Sequence, residues 1–171
     1  QRRMVHKHRE HLGIAPQEAA VIVGFVALAN TLGRIFWGGL SDKLGRFPVL
    51  TTLFVALGGA LLALSQATGY SAVIAALLMI AMCFGGFMGM MASVTADAFG
   101  ARHLGVNFGI MFLTLAAASF IGPRMAAVIA QNSNGDYTQA FLIAASFCLI
   151  GAVLAVARVI TERRARPATN G

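Results

Sequence analysis

Five long apolar runs constrain the fold of this chain before any other feature does. Approximately Ala19 to Leu40, Val49 to Ala67, Ser71 to Met91, Val106 to Ala130 and Thr138 to Ile160 are almost free of charge. Each has about the 20 residues that a helix needs to cross roughly 30 Å of hydrocarbon. No water satisfies backbone groups in that layer, so such runs are helical or belong to a closed barrel. Barrel strands need only about ten alternating residues, whereas these runs are continuously apolar. The expected fold is all-α, a polytopic transmembrane bundle of about five spans over residues 18–161. A basic, irregular segment precedes it at 1–17, and a basic cytoplasmic tail follows at 162–171.

Composition agrees with that reading. Hydrophobic residues make up 58% and charged residues 11% of the 171, against roughly a quarter charged in soluble domains. The surplus apolar surface has to face lipid. Cys83 and Cys148 lie inside apolar runs, without staple or metal spacing, and read as packing residues. The first residues lack the apolar core of a signal peptide and begin without methionine, so the sequence reads as a piece of a longer chain.

The net charge of +7 does not point to nucleic acid, because the basic residues form short clusters between uncharged runs. Lysine and arginine flanking a span favour the cytoplasm. Lys43 and Arg46, then Arg102 and His103, then Arg158, Arg163, Arg164 and Arg166 all fall on one side of a five-span topology. The opposite connections, Ala67 to Tyr70 and Gln131 to Asp136, carry neither residue. The expectation is a multi-pass protein of the cell (inner) membrane with a cytoplasmic C-terminus. Arg2, Arg3, Lys7 and Arg9 fall on the wrong side; a preceding helix that overrides their charge and an altered chain edge both account for that.

The connection between the first two runs fits G-x-L-x-D-[RK]-x-G-R-x-x-x-L, filled by Gly38, Leu40, Asp42, Lys43, Gly45, Arg46 and Leu50. The glycines permit a tight turn, and Asp42 can make a charge-assisted contact with cations or a helix N-terminus. This connection, expected to span Ser41 to Arg46, resembles the signature loop of the major facilitator superfamily. Phe47 stands where that family often has another basic residue. The resemblance implies a gating loop of Gly38, Asp42, Lys43, Gly45 and Arg46 that latches neighbouring helices in one state of an alternating-access cycle.

Flanking residues narrow the likeness. Ala29 to Gly38, Asp97 to Gly109 and Gly122-Pro123-Arg124 resemble the C-terminal half of the oxalate/formate antiporter family of organic-anion carriers. On that alignment the five spans are helices eight to twelve, and helix seven and the N-terminal half are missing. The implied function is the C-terminal part of a secondary transporter for mono- or dicarboxylates. Its expected partners are the anion, the lipid bilayer and the absent half.

Arg34 is the sharpest single residue. It lies eight residues before Asp42, or about 12 Å up a helix. A cation there costs about 2.5 to 3.5 kcal/mol on insertion scales, and such residues commonly mark a substrate path. In the resembled family the arginine of helix eight is implicated in carboxylate binding. Two other readings stay open, a carboxylate partner in the absent half and snorkelling to the interface. Asn30, one turn further in, and Thr31 would supply hydrogen bonds, with Trp37 or Phe36 as a cavity wall. Arg124 could be a second cation for a dicarboxylate, or its guanidinium could reach the outer interface. The resembled oxalate carrier uses a lysine in this helix near mid-span, and here Thr114 to Ser119 holds no cation.

Pro123 and Gly122 are expected to bend their helix, either for gating or as an ordinary kink. Gly85 and Gly89 form a small-xxx-small face for helix packing, and Met79, Met82, Met88, Met90 and Met91 read as packing or lipid contacts. His6, His8 and His11 lie in a basic, irregular end and do not make a metal site. No nucleophile–base set, phosphate loop or cofactor fingerprint is present, so neither an enzyme nor a cofactor is expected. The alternatives to anion transport are efflux of amphipathic drugs and a membrane fragment that transports nothing.

Overall fold

The first helix ends where its backbone has to turn left-handed. In the computed structural model, which describes residues 16–67, 69–133 and 135–165, helix α1 runs Pro16–Leu44 and α2 runs Arg46–Gln66. Gly45 is the one residue between them, at φ 92°, a conformation that a side chain disfavours. Its N–H donates to the Ser41 carbonyl at 3.0 Å and its own carbonyl accepts from Val49 at 3.4 Å. The same residue thus closes one helix and opens the next. Pro48 sits in the first turn of α2, where a missing N–H leaves no bond unmade.

Three more helices follow: α3 at Tyr70–Phe99, α4 at Leu104–Asn132 and α5 at Thr138–Ala165. A short 3-10 turn at Ala101–His103 leads from α3 into α4, after Gly100 has ended α3 at φ 80°. All five helices are long and apolar enough to cross a membrane, with spans Ala20–Leu44, Arg46–Gln66, Tyr70–Phe99, Leu104–Asn132 and Thr138–Thr161. The described residues contain no strand. The fold is the expected all-α transmembrane bundle.

The expected loop from Ser41 to Arg46 is corrected by this geometry. Ser41 to Leu44 continue α1, and the Ser41 hydroxyl donates to the Gly38 carbonyl at 2.7 Å. Hydrophobicity ends before the helix does, because polar residues in a final turn still complete the backbone ladder. Gly38 is accordingly helical, and the left-handed turn falls to Gly45 alone. The segment 1–15, with its three histidines, and the tail from residue 166 lie outside the described residues.

Packing is uneven. α1 lies chiefly against α3, and α2 chiefly against α5 and then α3. α4 rests lightly on α3 and α5. Trp37, Val49, Leu53, Cys83 and Met90 form the buried core where α1, α2 and α3 meet, and the Phe87 ring meets Phe54 edge to face at 4.9 Å. Gly151 of α5 lies under the Phe54 ring, which lets α5 approach. Along α4 only Ala130 is buried, whereas Leu113 is 71% exposed.

The α1–α3 crossing is tight. Gly33 lies against the Met82 backbone, Gly85 against the Asn30 backbone and Gly86 against the Trp37 ring. Lipid offers no hydrophobic drive for helices to associate, so close van der Waals contact between small residues holds such pairs. Gly85 and Gly89 face α1 as their spacing predicts, and Gly33 and Gly86 join them. At the far end, Asp136 caps α5: its Oδ1 accepts from the Thr138 N–H at 2.9 Å and from the Thr138 hydroxyl at 2.6 Å. Those bonds hold its carboxyl below the usual carboxylate range.

Candidate functional site

Arg34 stands midway along α1 with an exposed side chain, on the flank of the helix next to the α3 contact. Arg46 pairs with Asp97, and among the described residues no ion pair involves Arg34. An unpaired guanidinium at this depth is tolerated where water or an anion can reach it.

The neighbours are less free than spacing alone suggests. The Asn30 Nδ2 donates across the crossing to the Ala81 carbonyl at 3.4 Å. One amide hydrogen and the Oδ1 remain uncommitted. The Thr31 hydroxyl donates to the Ala27 carbonyl one turn back at 3.0 Å, so it offers a lone pair outward rather than a proton. Trp37 is only 8% exposed, packed on Gly86 with its ring edge to Phe36 at 5.2 Å. Its Nε1 is buried with no hydrogen-bond partner. Of the residues singled out around the anion, Asn30, Thr31 and Arg34 share one stretch of α1, and Trp37 sits in the core beside them.

Arg124 is elsewhere. Its guanidinium lies over the Phe120 ring at 4.7 Å, a cation–π contact on the exposed side of α4. Helices α1 and α4 do not touch, so the structure does not bring Arg124 beside Arg34. The α4 helix runs unbroken through Pro123.

A second polar cluster occupies the end that carries the α1–α2 connection. The Arg46 Nε donates to the Asp97 Oδ2 at 2.6 Å, joining the start of α2 to the end of α3. The Arg158 guanidinium lies 5.2 Å from the Phe47 ring centroid, tying α5 to α2. Asp42 and Lys43 are exposed, and the described ion pairs do not include them. Phe47, which fills a position often basic in the resembled motif, is thus a buried seat for a cation. Sequence reasoning missed Asp97 as the partner of Arg46. The available signal was its sign: it is the one carboxylate at that end of the third span.

The family profile of the Major Facilitator Superfamily matches residues 6–171. The chain belongs to this superfamily. It is 31% identical over 159 residues to the oxalate:formate antiporter of Oxalobacter formigenes, covering 91% of this chain and 37% of that protein. It is 24% identical over 163 residues to monocarboxylate transporter 12 of Xenopus laevis, covering 91% and 35%. A riboflavin transporter of Trypanosoma brucei brucei is 26% identical over 148 residues, covering 85% of this chain and 27% of that protein. The chain therefore spans about a third of the length of these relatives. No solved structure matches. Superfamily membership and the five apolar helices make it a multi-pass membrane protein.

Proposed function

We propose that this chain is the C-terminal bundle of a secondary transporter for small organic anions, mono- or dicarboxylates, working by alternating access against an N-terminal half. The observation that carries the reading is the exposed Arg34 guanidinium at membrane depth, in no described ion pair. Its charge attracts a carboxylate, and the free Asn30 amide hydrogen, one turn away, adds a directed bond. Thr31 lines the same stretch, and Trp37 backs it from the core. Substrate sites in such transporters lie near the midplane between repeats, which is the depth of Arg34. The names of two relatives, an oxalate:formate antiporter and a monocarboxylate transporter, favour the same ligand class.

Arg124 stands apart from this group, on a helix that does not touch α1. The polar cluster around Asp42, Lys43, Arg46 and Asp97 forms the cytoplasmic latch in this reading. The C-terminus is then cytoplasmic and the membrane is the inner membrane.

The test is exchange of labelled carboxylates by the full-length protein carrying this chain, with Arg34→Gln. Removing one charge-assisted contact, about 1.5 to 3 kcal/mol, raises KM about ten- to a hundredfold. Unchanged KM and rate remove Arg34 from the substrate path. Inhibition by drug cations in place of carboxylates turns the assignment toward efflux of amphiphiles.

A further inference from the structure

Across the α1–α3 crossing Arg34 faces a residue with no side chain. A Cβ placed on Gly89 of α3 would lie 3.2 Å from both the Cα and the carbonyl oxygen of Arg34, and 3.4 Å from its Cβ. Two of those three atoms are backbone and cannot rotate away, so any side chain at Gly89 moves α1 itself. One turn earlier the hydrogen bond from Asn30 to Ala81 fixes the rotation of α1 on α3. One turn later Trp37 is wedged on Gly86. Arg34 is therefore held from three levels of the same helix, and Gly89 is the level at which it is touched directly.

We propose that Gly89 is a positioning residue for Arg34: its missing side chain sets how far the guanidinium stands out from α3, and hence where a carboxylate is held. This rests on the reading of Arg34 as an anion-binding residue. Gly33 and Gly85 face backbone too closely for any Cβ, so changes there test whether the helices assemble at all. At Gly89 the contact is tight but a shift of a few tenths of an ångström relieves it. Displacement on that scale matters at a binding centre, where about 1 Å can cost two orders of magnitude.

In the full-length protein Gly89→Ala is expected to raise the KM for a labelled carboxylate about fivefold while kcat stays within about twofold. Gly59→Ala, whose Cβ would meet nothing within 4 Å, is the control and leaves both constants unchanged. A purely structural role would add its effect to any other variant. A positioning role does not: once Arg34→Gln is present, Gly89→Ala raises KM no further. Additive effects, or a Gly89→Ala variant that behaves like Gly59→Ala, overturn the proposal.

A geometric test does not depend on transport. With Cys83 and Cys148 replaced by alanine, the pair Arg34→Cys and Gly89→Cys is expected to form a disulfide under mild oxidation. The 3.4 Å Cβ separation falls just short of the disulfide range of about 3.5–4.5 Å, and the shift of a few tenths of an ångström that a side chain at Gly89 imposes brings it within reach. Failure to cross-link removes the contact on which the proposal stands. If Arg34→Gln leaves KM unchanged, the anion reading itself fails and this inference fails with it, even where the cross-link forms.

Discussion

A guanidinium on a membrane helix can be accommodated in three ways: by a carboxylate, by an aromatic face, or by keeping contact with a polar space. This chain uses all three. Arg46 takes the Asp97 carboxylate, Arg124 and Arg158 lie over Phe120 and Phe47, and Arg34 keeps an exposed side chain. The Arg46–Asp97 side chains are 29% and 46% exposed, so water screens the pair. Asp97→Asn is expected to destabilise the bundle by no more than about 1 kcal/mol. Equilibrium unfolding in detergent checks this, and a loss several times larger would mean that the pair is dry. Arg34 was legible in the sequence because a cation inside an apolar run stands out. The Arg46–Asp97 pair was not, since 51 residues separate the partners and only helix adjacency brings them together.

At the scale of helices, the run lengths fixed the number of spans but not their ends. Apolar residues report contact with hydrocarbon, whereas the backbone ladder continues into the polar turn from Ser41 to Leu44. The closeness of the α1–α3 crossing was half legible: Gly85 and Gly89 have a recognisable spacing, but Gly33 and Gly86 acquire meaning only once Met82 and Trp37 are seen opposite them. Gly33→Leu sets a side chain against the Met82 backbone and is expected to abolish recovery of a monodisperse protein from membranes. Gly59→Leu projects into open space and is expected to be recovered at the wild-type level, as size-exclusion profiles in detergent would show. Equal recovery of the two would mean that the crossing tolerates separation.

The whole molecule is strongly asymmetric in how it is held. Four helices share the closer contacts, while α4 buries only Ala130 and leaves residues such as Val106, Leu113 and Phe120 at 65% exposure or more. A helix so lightly attached presents most of its apolar surface outward, and the chain spans about a third of its relatives. Reconstituted alone in liposomes, the chain is expected to insert but to show no saturable carboxylate exchange. Saturable exchange by the isolated chain would show that these helices suffice for transport. Trp37 gives this asymmetry an optical side. The sequence contains a single tryptophan, and it sits at the best-packed crossing, one helical turn from Arg34. Intrinsic indole emission from these 171 residues is therefore a one-site signal, reporting the α1–α3 contact with no background from the loosely held helix.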